Sequence, residues 1–188
     1  YNEIYQAVSE DAEITLGSDD ISSISLGAGW NWFSLNRNIS NMGVNSVFSQ
    51  FLEDDWQCEY GGSDTNCPYY IKSQDAYGIF YSGYGFYPEF TMEIESFYKL
   101  QMNGESELWY GGSIVDPSLM PLSLNTGWNW VGYLTPDALS INSALSGIID
   151  NNSPAYAKSQ SGFAIFYEDF GFYPEFIMDV NGGYMLQM

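Results

Sequence analysis

The chain contains the same unit twice. Residues 71–102 read IKSQDAYGIFYSGYGFYPEFTMEIESFYKLQM, and residues 157–188 read AKSQSGFAIFYEDFGFYPEFIMDVNGGYMLQM. Seventeen of these 32 positions are identical without a gap. Upstream, ISLGAGWNW (24–32) matches LSLNTGWNW (122–130). Self-similarity on this scale means one supersecondary unit built twice, so any fold must serve both copies. The 188 residues suffice for two small domains with real cores.

The two matching blocks are offset by 86 and by 98 residues, so the first copy carries 12 extra residues between them. These fall around DDWQCEYGGSDTNC, which holds both cysteines, Cys58 and Cys67. Glycines, Asn66 and Pro68 mark the segment as a loop. Two cysteines bracketing an insertion read as a local disulfide, and hence as an oxidising, extracellular-type compartment. Two cysteines without histidine fall short of a four-ligand metal site, so no metal is expected.

Most of the unit reads as strand. WNWFSL and WNWVGYL alternate bulky side chains, and YGIFYS, FAIFYE, FYKLQM and GYMLQM are rich in aromatic and apolar residues. One segment per copy has helical spacing instead: Val44, Val47, Phe48, Phe51 and Leu52, then Ile141, Ala144, Leu145, Ile148 and Ile149, with Ser140 as N-cap of the second. The expected fold is mainly β: two tandem duplicated small β-sandwich or barrel domains, each with one short helix, plus an N-terminal β-arm. The expected division is an arm over residues 1–17, a first domain with the disulfide loop over 18–115, and a second over 116–188.

The ends carry the functional expectation. After LQM of the first copy comes the strand-like ELWYGG (107–112), and nothing corresponding follows LQM of the second. If ELWYGG closes domain one, domain two exposes an unpaired edge, a hazard that proteins normally cover. Residues 1–17, YNEIYQAVSEDAEITLG, hold two β-compatible runs, and Glu3-Ile4-Tyr5 resembles Glu107-Leu108-Trp109. A strand donated by one copy to the next would give a head-to-tail, filament-forming contact. Ile4, Tyr5, Ala7 and Val8 are the expected inserting residues, against an acceptor edge near Tyr184, Leu186 and Met188. Three alternatives remain. Glu13-Ile14 also aligns with Glu107-Leu108, so that EITLGS and ELWYGG would each open a domain. The chain, which begins at Tyr1, could be a slice of a longer array, or the arm could fold back on its own domains.

Composition narrows the partners. Twenty-four acids face four bases, Arg37, Lys72, Lys99 and Lys158, for a formal charge of −20. That balance disfavours nucleic acid and anionic membranes. No apolar run is long enough to span a bilayer, so no membrane insertion is expected. With no histidine, the usual general base and triad member are missing, and the expectation is a protein that is not an enzyme and holds no cofactor. The duplicated Glu89 and Glu175 read as structural rather than as a glycosidase pair. Lys72 and Lys158 occupy equivalent KSQ positions and are expected to form salt bridges to Glu89 or Glu175.

The GFYPEF blocks crowd aromatics into short strands whose two faces cannot both enter a small core. Tyr84, Phe86, Tyr87, Phe170, Phe172 and Tyr173 are accordingly candidates for a glycan platform, a subunit contact, or simply core. Asn38 and Asn151 begin N-glycosylation sequons.

The set GWNW, IKSQ, IFY, GFYPEF and GYMLQM resembles an uncharacterised tandem repeat of secreted, multidomain surface proteins from aquatic microbes. The resemblance covers residues 24–102 and 122–188 and implies an extracellular, non-enzymatic module. A free arm beside an incomplete domain is similar in architecture to donor-strand pilins, without a pilin motif. Copies of itself are therefore the expected partner, in an extracellular homopolymer. The alternative expectation is a glycan- or peptide-binding module of a secreted adhesin.

Overall fold

A computed structural model describes residues 21–53, 58, 66–149 and 154–188. The arm residues Ile4, Tyr5, Ala7 and Val8, and the sequon at Asn151, lie outside the described residues. The first repeat comprises β1 (Ile21–Leu26), β2 (Gly29–Ser34), β3 (Arg37–Asn38), α1 (Val44–Val47), α2 (Gln50–Glu53), β4 (Pro68–Lys72), β5 (Tyr77–Tyr81), β6 (Gly85–Tyr87), β7 (Phe97–Met102), β8 (Ser106–Gly111) and β9 (Ser113–Ile114). The second comprises β10 (Trp128–Gly132), β11 (Leu139–Ser140), α3 (Ile141–Ala144), α4 (Ser146–Ile149), β12 (Tyr156–Lys158), β13 (Phe163–Tyr167), β14 (Gly171–Tyr173), β15 (Ile177–Met178) and β16 (Gly183–Gln187). The fold is mainly β, as the strand-like patterning implied.

Each repeat centres on one five-stranded antiparallel sheet, ordered β2-β7-β4-β5-β6 in the first and β10-β16-β12-β13-β14 in the second. Equivalent residues keep equivalent registers: Phe33 pairs with Tyr98 as Val131 pairs with Tyr184, and Phe80 with Phe86 as Phe166 with Phe172. The period-2 pattern sets the faces. In β7, Tyr98, Leu100 and Met102 enter the first core, while Phe97 and Lys99 point to the other side of the sheet. The helical segments cover the core face, through Val44, Val47, Phe48 and Phe51 in one repeat and Ile141 and Leu145 in the other.

Each expected helix is two single turns. The first piece breaks at Phe48 and at Leu145, whose backbone leaves the α region. Ser140 does cap α3, its hydroxyl oxygen accepting from the Ser143 N–H at 3.3 Å. Cys58 and Cys67 are bonded, with Cα atoms 5.6 Å apart, which fits an oxidising compartment. Among the described residues no helix is long and apolar enough to cross a membrane.

The acceptor edge expected near Tyr184, Leu186 and Met188 is corrected. β16 lies between β10 and β12 and pairs with both. Tyr184 and Leu186 are core residues, and the Met188 backbone exchanges hydrogen bonds with Gly127. The last strand in sequence enters the middle of the sheet, so it offers no free ladder.

ELWYGG belongs to the first repeat. β8 pairs along all six residues of β1, from Ile21 opposite Gly111 to Leu26 opposite Ser106. Together they bring Ile24, Leu26, Leu108 and Tyr110 into the first core. The alternative in which ELWYGG opens the second domain is therefore also corrected.

Candidate functional site

Three of the four cations gather where the repeats meet. Lys99 Nζ lies 3.8 Å from the Trp32 ring centre and 4.5 Å from that of Trp130. Lys72 Nζ lies 5.8 Å from Trp30 and 5.7 Å from Trp130, and Lys158 Nζ lies 4.6 Å from Trp128. The expected pairing of Lys72 and Lys158 with Glu89 and Glu175 is thus replaced by cation–π contacts, which avoid desolvating a carboxylate. Glu175 instead accepts from Asn142 Nδ2 at 3.2 Å. Burial lowers the Lys99 pKa below the usual lysine value, and the charges of Lys72 and Lys158 lower it further.

Phe97 fills the centre of this contact. It is fully buried and stacks on Trp130 at 4.5 Å and on Trp32 at 5.1 Å. Its counterpart in the second repeat is Gly183, where a Cβ would collide with the Phe97 ring. Ser34 and its counterpart Gly132 show the same asymmetry, since a Cβ at Gly132 would sit 2.9 Å from the Ser34 Cβ. Both pairs meet across an approximate two-fold relation, so one member must be small. The backbone follows the same relation: Ser34 N donates to Asn181 O at 2.8 Å, and Gly132 N donates to Glu95 O at 2.7 Å.

The glutamine of each KSQ motif reaches into the other repeat. Gln160 Nε2 donates to Trp30 O and its Oε1 accepts from Trp32 N, both at 2.6 Å. Gln74 Oε1 accepts from Trp130 N at 2.9 Å. A carboxamide carries a donor and an acceptor spaced much like a peptide group, so it can occupy one rung of a ladder. The same device recurs at other sheet edges. Asn45 brackets Phe86 in β6, Asn142 brackets Phe172 in β14, and Gln50 brackets Glu107 and Trp109 in β8. Gly85 and Gly171 permit two of these clamps: both have positive φ, and a Cβ at either would collide with the asparagine amide. Sheet edges that would otherwise recruit foreign strands are occupied by side chains.

The GFYPEF aromatics divide by pleat. Phe86 and Phe172 are core residues, each only 1% exposed, which removes them from the expected glycan platform. Tyr84, Tyr87, Phe170 and Tyr173 are exposed, up to 85% at Tyr84. Tyr81, Tyr84, Tyr87, Asn45 and Glu89 line a cleft of about 470 Å³ beside the first of these rims. Asn38 is also exposed.

One place in the second repeat departs from the first. Leu119–Leu124 aligns with β1 by the 98-residue offset, yet among the described residues it has no strand partner. Leu122 is 36% exposed where Ile24 is 9% exposed. Leu124, Ala144 and Ile148 are half-buried where Leu26, Val47 and Phe51 are buried. In the first repeat the counterparts of these positions share one core with Leu108 and Tyr110 of β8. Gly147 stands where Gln50 clamps β8, and a Cβ there would meet open space. No family model, curated protein or solved structure matches the chain. The arrangement itself therefore carries the functional reading.

Sequence reasoning singled out the KSQ lysines and overlooked the glutamines beside them. The signal was present in the duplication of an uncharged polar residue next to a strand, twice, opposite a duplicated WNW.

One buried tyrosine in each repeat, Tyr98 or Tyr184, ties down the turn that precedes its own strand, β7 or β16. The Glu93 N–H donates to the Tyr98 hydroxyl at 2.5 Å, and the Asp179 N–H donates to the Tyr184 hydroxyl at 2.6 Å. Burial pushes both phenols up to about 12 from an ordinary value of 10.0. Unfolded chains ionise first, so stability holds below pH 10 and is lost as pH rises to about 12. Urea midpoints measured across that window should fall, and the fall should shrink in the Tyr98→Phe, Tyr184→Phe double variant. An unchanged slope would show that other groups set the alkaline limit.

Proposed function

We propose that this chain is a structural subunit of an extracellular filament, assembling head-to-tail by donation of an N-terminal strand to the next copy. The observation that carries this reading is the contrast between the repeats. The first is closed by β8 on β1, while Leu119–Leu124 of the second has no strand partner among the described residues. A contact between an arm on one side and an acceptor on another is heterologous, and such contacts propagate unless the rotation closes a ring. The clamped edges support it too, because they leave few places for indiscriminate pairing. The disulfide is compatible with an extracellular setting.

Removing residues 1–17 is expected to leave a folded monomer that no longer polymerises, as read by sedimentation. Polymers that persist in this variant would defeat the proposal. For the intact chain, sedimenting polymer should increase with salt, which screens subunits of charge −20 from one another.

The exposed Tyr84, Tyr87, Phe170 and Tyr173 favour a second reading, a glycan- or peptide-binding module. Aromatic faces beside a cleft suit the apolar face of a pyranose ring. Tyrosine and tryptophan fluorescence should then respond to a glycan panel, with the response lost in Tyr84→Ala, Tyr87→Ala. A flat response would leave those rims without a glycan role.

A further inference from the structure

The pairing of β8 with β1 shows how a repeat of this kind is completed, and it supplies a template for the second. In the first repeat the completing strand reads SELWYG, with Leu108 and Tyr110 pointing into the core and Trp109 outward. Within the residues outside the described structure, AEITLG (12–17) matches it position by position: Glu13 to Glu107, Ile14 to Leu108, Leu16 to Tyr110 and Gly17 to Gly111. The earlier run, NEIYQA (2–7), would instead set Gln6 at the buried Tyr110 position. An unpaired amide in that core would be costly.

Chain order points the same way. SELWYG completes the repeat before it and lies upstream of the next one. AEITLG likewise lies just upstream of a repeat, the first in this chain. By the same arrangement it completes the repeat preceding it, and in a head-to-tail assembly that is the second repeat of another copy.

Resting on the strand-donation reading above, we infer that Ala12–Gly17 of one copy lies antiparallel along Leu119–Leu124 of the next, with its ladder over Pro121–Leu124, on the exposed face of α3 and α4. Transferring the β1–β8 register sets Ile14 opposite Leu122, Glu13 opposite Ser123 and Ala12 opposite Leu124. Ile14 and Leu16 then cover the half-buried Leu124, Ala144 and Ile148 as Leu108 and Tyr110 help cover their counterparts. Pro121 stands where Ser23 does and has no N–H, and the Leu119 and Met120 N–H groups already donate to Asp116 O and Pro117 O in a single 3-10 turn over Pro117–Leu119, so the ladder is confined to Pro121–Leu124. Glu13 takes the half-buried Glu107 position near the rim, where its charge keeps contact with water.

The test uses cysteine pairs in the otherwise intact chain, oxidised under assembly conditions and read on non-reducing gels. E13C with S123C should give a ladder of covalent multimers, because directly opposed residues bring their Cβ atoms to about 4.5–5.5 Å. E3C with S123C should give none. A ladder from E3C with S123C and none from E13C with S123C would overturn this assignment while leaving strand donation standing. An intrachain bond from E13C would overturn both, since the arm would then fold back on its own second repeat. A chain lacking residues 1–11 should still polymerise, and its failure to do so would also overturn the assignment without touching the wider reading. Leu122→Asp, at a position exposed enough for the monomer to fold, should raise the concentration needed for assembly about a hundredfold. Gly147→Gln restores the clamp that Gln50 gives β8 and should lower that concentration. An unchanged assembly threshold in both variants would place the donated strand elsewhere.

Discussion

Phe97→Ala is expected to lower the unfolding free energy by about 3–5 kcal/mol and to expose the inter-repeat tryptophans. The ring is fully buried, although it sits on the outer face of its own sheet, where an isolated repeat would leave it in water. Its cover comes from Trp32 of the same repeat and from Trp130 and Gly183 of the other. Truncation leaves a cavity lined by two rigid indoles and a glycine, none of which can collapse into it cheaply. The urea transition should shift to lower denaturant, with tryptophan emission moving red before the far-ultraviolet signal is lost. A loss below about 1 kcal/mol with coincident signals would mean that the two repeats do not depend on this contact.

Leu108→Ala is expected to cost about 2–5 kcal/mol, although β8 lies outside the five-stranded sheet. Leu108 is fully buried among Ile24, Leu26 and Tyr110, so its truncation removes contacts from the centre of the first core. Its positional counterpart should behave in the opposite manner. Ile14→Ala should leave the unassembled chain's stability unchanged to within about 0.5 kcal/mol and weaken only the assembly. Equal stability losses at both positions would mean that residues 12–17 already pack within a single copy. The comparison thus separates a strand that folds a domain from a strand that joins two.

Much of the architecture was legible because duplication filters noise. A pattern such as YGIFYS is ambiguous once, but its recurrence as FAIFYE in the same surroundings makes the alternation trustworthy. Cys58 and Cys67 were legible for a simpler reason, since a short insertion with two cysteines leaves few other pairings. The helical segments were found by spacing, yet their division into single turns depends on backbone angles at Phe48 and Leu145 that periodicity does not report.

Strand order was less accessible. Nothing in GYMLQM says that β16 enters between β10 and β12, because both its faces are apolar enough for either a central or an edge position. The expected acceptor at Tyr184, Leu186 and Met188 failed on that point. KSQ misled in another way: the lysine was the rarer residue, but the glutamine holds the neighbouring repeat's edge strand. Pairs such as Phe97 with Gly183 and Ser34 with Gly132 were visible as differences between the copies. Their meaning required knowing that equivalent positions face each other.

The most direct measurement is negative-stain electron microscopy of the intact, purified chain over a range of concentrations. Head-to-tail donation predicts unbranched fibres that lengthen with concentration, each axial repeat corresponding to one two-repeat subunit. Isolated particles of monomer size at every concentration would contradict it.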